Sequence, residues 1–245
     1  IGLKFSRYVA SKIFIILGPS FRSKKIINEN ILRAFPNIDN IKRKKIVTSM
    51  WSYYGKILAE YVYIKKFNSS NKKQFIELEG KEILNKIRLN HKPVIFISGH
   101  FDNFELMAME IEKSGVDLAA IYRPLNNRLI NPSMETIRQR YICKKQIKKG
   151  ISGTKEILSY FKNGTSIALM IDQRVSEGQR SNFFGKEALT TTIPAQFVKK
   201  FKCQIVPVYI ERGKNDKFKC KIFEPIDFKE NENLRSITLQ LNKII

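Results

Sequence analysis

The hydrophobic period of this chain changes near residue 70, and that change limits the folds open to it. From Ile1 to about Asn71, apolar residues recur at three- and four-residue intervals with basic residues between them: Ile13, Ile16 and Leu17, then Ile26, Ile27, Ile31 and Leu32, then Met50, Trp51, Tyr54, Ile57, Leu58 and Tyr61. That is the period of amphipathic helices, punctuated here by Pro19 and Pro36. The pattern predicts an N-terminal helical subdomain over residues 1–71. After the polar stretch Asn68 to Lys73, short β-rich runs alternate with helical ones, the signature of an α/β domain over residues 72–245. Strands are expected at Val94–Ser98, Leu118–Tyr122, Ser166–Ile171, Gln204–Glu211 and Lys217–Phe223. Helices are expected at Asn103–Lys113, Pro132–Cys143, Thr154–Phe161, Pro194–Lys200 and from Asn233 to the end. Arg212 to Asp216 reads as a hairpin turn between the last two strands, so the central sheet is expected to be mixed, with helices flanking it.

Charge narrows the partners. The chain holds 45 Lys and Arg against 22 Asp and Glu, a net charge of +23. Either an anionic partner or a compositional Lys, Ile and Asn bias accounts for it. The first helical segment carries Lys4, Arg7 and Lys12 beside an apolar side; it suits a membrane interface or a helix packed on the domain's own core. The longest strictly apolar runs, such as Ile13 to Leu17, fall far short of the ~20 residues of a spanning helix. Cys143, Cys203 and Cys220 are far apart and in no CxxC pair, which suggests neither a disulfide framework nor a zinc site.

Of the two histidines, His91 sits in a polar stretch, whereas His100 follows Val94-Ile-Phe-Ile-Ser-Gly99 at the carboxyl end of an apolar strand. Open α/β sheets place ligand sites there. Glu105 lies five positions on, in the first turn of the next helix, from which its carboxylate can fold back on the imidazole. Such a pair is a base with its orienter, suited to taking a proton from an alcohol; the same histidine can equally be structural. Asp102 and Asn103 are candidate N-caps of that helix. There is no G-x-S-x-G, Walker or G-x-G-x-x-G motif, and one well-placed histidine excludes a zinc site of two or three His ligands.

Ser98-Gly-His-Phe-Asp-Asn-Phe-Glu105 resembles the H-x-x-x-x-(D/E) signature of the lysophospholipid acyltransferase superfamily. Its Glu resembles the bacterial lipid A biosynthesis acyltransferases, of lauroyl and myristoyl type. Further blocks follow in family order. Asn30-Ile-Leu-Arg-Ala-Phe-Pro36 is similar to an upstream "N-L…F-P" stretch, and Trp51, Gly55 and Glu60 to the helix after it. Tyr122-Arg-Pro-Leu-Asn-Asn127 is similar to a Y-R-P-x-x-N block, followed by Arg138 and Arg140. Met170-Ile-Asp-Gln-Arg174 resembles a strand-end Asp motif, and Phe183-Phe-Gly185 with Ala188-Leu-Thr-Thr-Thr192 an F-F-G…A-x-T-T block. Ile193 and Pro194 depart from a position where Gly is common. The family's N-terminal anchor and Trp-rich tail are absent, so the chain is expected to be trimmed, with an anchor upstream of residue 1.

The resemblance implies an O-acyltransferase that moves a fatty acyl chain from acyl carrier protein to a hydroxyl of a lipid A precursor, Kdo-modified lipid IVA. This would occur at the cytoplasmic face of the inner membrane, without a cofactor. It implies His100 and Glu105 as catalytic residues. Arg123, Asn127, Arg138, Arg140, Asp172, Gln173 and Arg174 are the substrate-binding candidates. Guanidinium forks suit the acceptor's phosphates and carboxylates. Asp172 either pairs with Arg138 or caps the next turn. The positive charge then fits the acidic carrier and an anionic membrane surface. Rival readings are an acyltransferase for another glycolipid or phospholipid and a basic nucleic-acid-binding protein. The aromatics, falling at apolar-periodic positions, argue against nucleic acid as a partner.

Overall fold

The structure, a computed structural model, describes residues 2–69, 75–213 and 215–245. The chain divides into two compact units, Ile1–Phe67 and Asn68–Ile245. The boundary expected at residues 71 and 72 lies outside the described residues, as does Lys214 in the expected hairpin turn.

The first unit is helical: α1 (Leu3–Leu17), a single 3-10 turn at Gly18–Ser20, α2 (Lys24–Ala34), α3 (Asn40–Val62) and the start of α4 (Ile64–Ser69). Ser23 caps α2, and the Asp39 carboxylate caps α3 by accepting the Lys42 N–H at 2.8 Å. Helices α1 and α3 meet at their backbones, for a Cβ on Gly55 would lie 2.3 Å from the Ala10 carbonyl oxygen. The contact buries polar groups: Arg7 Nε donates to Glu60 Oε1 at 2.7 Å, and the Ser11 and Ser52 hydroxyls are 2.6 Å apart. Phe5, Tyr8, Ile13, Ile16 and Leu17 of the same helix are exposed. Helix α1 thus packs on α3 through Arg7, Ser11 and Ala10, while Phe5, Tyr8, Ile13, Ile16 and Leu17, with Lys4 and Lys12, lie exposed. Among the described residues no helix is long and apolar enough to cross a membrane.

The second unit is α/β. In chain order it runs β1 (Ile76–Glu79), α5 (Lys81–Asn90), β2 (Ile95–Ser98), α6 (Glu105–Lys113), β3 (Leu118–Tyr122), α7 (Asn131–Tyr141), β4 (Lys145–Lys148), α8 (Ile151–Lys162), β5 (Ser166–Met170), β6 (Gln179–Phe183), β7 (Lys186–Thr190), α9 (Ile193–Phe201), β8 (Ile205–Arg212), β9 (Phe218–Ile222) and α10 (Leu234–Ile244). Seven strands form one sheet in the order β1-β9-β8-β2-β5-β3-β4. Strands β8, β2, β5, β3 and β4 are mutually parallel, while β9 runs antiparallel to β8 and parallel to β1. The mixed sheet flanked by helices is the fold read from the sequence. Strands β6 and β7 form a separate antiparallel hairpin. Central strand β2 is buried along its whole length, as its unbroken apolar run requires of a strand covered on both faces. Ile95, Ile97, Ile167 and Ile205 are fully enclosed; each such side chain contributes roughly 1.5–3 kcal/mol.

Candidate active site

The site follows from one register. Strands β2 and β5 are parallel neighbours with Ser98 opposite Met170, and the Ser98 carbonyl accepts the Ile171 N–H at 2.9 Å. Two residues beyond those partners stand His100 and Asp172, so the sheet sets them side by side at its carboxyl edge. Asp172 grips His100 twice, its Oδ2 accepting the backbone N–H at 2.8 Å and its Oδ1 lying 2.7 Å from Nδ1. Desolvation alone would raise the Asp172 carboxyl. The hydrogen bonds from the imidazole and the backbone N–H outweigh it and hold the group below the ordinary carboxylate value. The carboxylate is therefore ionised at neutral pH and can only accept, so in the neutral imidazole Nδ1 carries the proton and Nε2 keeps a free lone pair. The Phe104 ring packs edge-on against the imidazole, at 4.7 Å between centroids.

Glu105 is engaged elsewhere. Its carboxylate accepts from Arg138 Nε at 2.9 Å and from Nη2 at 2.5 Å, and about a tenth of each side chain is exposed. The Arg138 guanidinium also lies 5.5 Å from the centroid of the Tyr122 ring. The sequence expectation placed Glu105 on His100, and Asp172 either on Arg138 or as the cap of the next turn; the structure pairs Glu105 with Arg138 and Asp172 with His100. The cause is the loop between His100 and α6. It includes Asp102 in a left-handed conformation (φ 40°), and α6 begins only at Glu105, which faces α7. Asp102 and Asn103 do not take the cap expected of them, for Phe104 holds the N-cap position and no side chain caps it.

A cavity of about 350 Å³ opens beside these groups. Its walls are mainly apolar, with Phe96, Ala108, Ile111, Ala120, Ile142 and Leu169 among them, and His100, Glu105, Arg123, Arg138 and Gln173 line it as well. A few polar groups converging on an apolar hollow is the usual form of a small-molecule site. Asp172 meets the cavity only through His100, and three further expected residues stand apart from it. Asn127 is spent on the chain leading into α7, its Oδ1 accepting the Leu129 and Ile130 N–H groups. Arg140, two positions from Arg138 and so on the other side of α7, lies over the Tyr141 ring. Arg174 is exposed beyond Gln173. The cavity also takes in Gln146 and Lys149, which sequence reasoning missed because β4 (Lys-Gln-Ile-Lys) carries no apolar run.

A carboxylate-held histidine at the carboxyl edge of a mixed α/β sheet, beside an apolar cavity, is an arrangement able to take a proton from a hydroxyl. The family model for bacterial lipid A biosynthesis acyltransferases matches residues 2–245, and the chain belongs to that family. It is 22% identical over 214 residues to the lipid A biosynthesis myristoyltransferase of Escherichia coli (strain K12). It is equally 22% identical to the lipid A biosynthesis acyltransferase 1 of Shigella flexneri. Each match covers 86% of this chain but 65% of the relative, just under two thirds of those proteins' length.

The two pairs, His100 with Asp172 and Glu105 with Arg138, separate in a mutational test. His100→Ala should lower turnover by ~10²-fold or more with the fold intact. Asp172→Asn should lower it by ~10²–10⁴-fold, because an amide can turn its N–H toward Nδ1 and drive the proton onto Nε2. Glu105→Ala should instead cost about 3–5 kcal/mol of stability by stranding a buried guanidinium, which denaturant unfolding measures. A destabilised His100→Ala protein together with a fully stable Glu105→Ala protein would refute this division.

Proposed function

We propose that the chain transfers a fatty acyl group from an acyl-carrier-protein thioester to a hydroxyl of a lipid A precursor, Kdo-modified lipid IVA. The observation that carries this is the Asp172-held His100 at an apolar cavity, in a chain of this family. His100 Nε2 takes the proton of the acceptor hydroxyl as its oxygen attacks the thioester carbonyl, and the imidazolium returns that proton to the departing thiolate. Asp172 holds the ring and offsets the charge it gains. The apolar walls receive the acyl chain. No cofactor enters this reaction.

Recognition of the acceptor falls to Arg123. The Nε and Nη2 edge of Arg138 is taken by Glu105, so its fork is not open to a phosphate, whereas Arg123 is exposed and lines the cavity. Arg138→Lys should impair transfer equally to phosphorylated and dephosphorylated acceptors, because the lysine loses the two-point grip on Glu105. Arg123→Ala should impair transfer mainly to the phosphorylated one. Steady-state assays with both acceptors check this, and transfer that is undiminished in both variants removes the pair from the site.

We further propose that residues 1–67 rest on the anionic cytoplasmic face of the inner membrane. The outward apolar face of α1 supports this, as do the 14 Lys and Arg against 3 Asp and Glu in that stretch. Because such attraction is screened over ~8 Å at physiological salt, binding of the chain to anionic vesicles should weaken as salt is raised. Binding that is independent of salt would assign the contact to apolar insertion alone.

A further inference from the structure

The loop carrying His100 is fastened to β8, a strand whose last residue takes no part in the cavity walls. We propose that Arg212, at the end of β8, is a positioning residue: its buried guanidinium holds the Asp102 carboxylate and so keeps residues 99–104 in the shape that sets His100 against Asp172. This rests on the acyl-transfer reading above.

The loop needs holding. The Phe101 N–H donates to the Gly99 carbonyl at 2.8 Å, so the chain turns within three residues about His100. Asp102 follows in a left-handed conformation (φ 40°), which side chains adopt against a steric penalty and keep only where surroundings enforce it. Two residues of β8 supply the enforcement. Arg212 Nη2 donates to Asp102 Oδ1 at 2.9 Å, with 4% of each side chain exposed, and the guanidinium lies 4.4 Å from the Phe218 ring centroid. The Tyr209 ring meets Phe101 edge-on at 4.8 Å. Successive loop residues are thus tied to Tyr209 and Arg212, three positions apart on one strand. A buried ion pair adds little net stability compared with an apolar pair of the same volume. What this one does provide is a fixed anchor at the strained residue, between His100 and Glu105, which carry the two contacts of the site.

The variants Arg212→Met, Asp102→Gly and their combination test this, assayed with an acyl-carrier-protein thioester and a lipid A precursor. Backbone amide exchange of residues 100–104 is followed in parallel. Folded Arg212→Met should lose roughly tenfold to a hundredfold in kcat with little change in KM, and its loop amides should exchange faster. Glycine takes the left-handed turn without a Cβ and brings no carboxylate to be stranded, so the double variant should recover most of the lost kcat. Should Arg212→Met fail to fold, the combination Asp102→Ala with Arg212→Met replaces it, and its kcat should fall well below that of the glycine double variant. Wild-type kcat in Arg212→Met, or equal kcat in the glycine and alanine double variants, overturns the proposal. His100→Ala in the same assay separates the two levels. If the wild type transfers and His100→Ala does not, a normal Arg212→Met sinks the positioning role alone. If the wild type transfers nothing, the acyl-transfer reading falls, and unchanged loop exchange in Arg212→Met would still overturn the positioning role.

Discussion

The parallel pairing of β2 with β5 is the constraint on which the site depends. It places the residues two beyond Ser98 and Met170 side by side, and these are His100 and Asp172. A one-residue slip would carry one of the two side chains to the opposite face of the sheet and undo the contact. The buried run Ile95–Ser98 prevents the slip, because shifting it would exchange side chains between two packed layers. The His100–Asp172 contact is in this sense a consequence of core packing. The ionised carboxylate fixes the tautomer of the neutral imidazole, and on the proposed reading Nε2 is then the base.

The second pair plays a different part. Glu105 opens α6, the link from β2 to β3, and Arg138 lies on α7, the link from β3 to β4. Their ion pair closes a wall of the hollow and removes a charge that would otherwise be costly in apolar surroundings. The two carboxylates of the site thus have different partners: Asp172 holds the imidazole, and Glu105 keeps a buried cation in place.

Much of this was readable in the residues. The apolar runs of β2, β3, β5, β8 and β9 and the placement of His100 at a strand's end pointed to the right edge of the right sheet. Other elements left weaker marks. In β4 only Ile147 is buried, so the strand reads as polar. The β6–β7 hairpin turns through Phe184 and Gly185, both with positive φ, and a phenylalanine at the first turn position does not look like the usual Asn-Gly signal. Helix α5 did show its spacing in Ile83, Leu84 and Ile87, but it is only ten residues long and lies beside a short edge strand. The choice of partners among His100, Glu105, Arg138 and Asp172 was beyond sequence spacing. It is decided by strand register and by a left-handed residue at 102, where the side chain, an aspartate, gives little sign of the turn.

The central claim is that Asp172 holds the His100 proton on Nδ1. Nitrogen-15 chemical shifts of the neutral His100 imidazole, recorded above its titration in the wild type and in Asp172→Asn, test it directly. The account predicts a protonated Nδ1 and a bare Nε2 in the wild type, with that preference lost or reversed in the variant. A wild-type ring protonated on Nε2, or the same tautomer in both proteins, would contradict it.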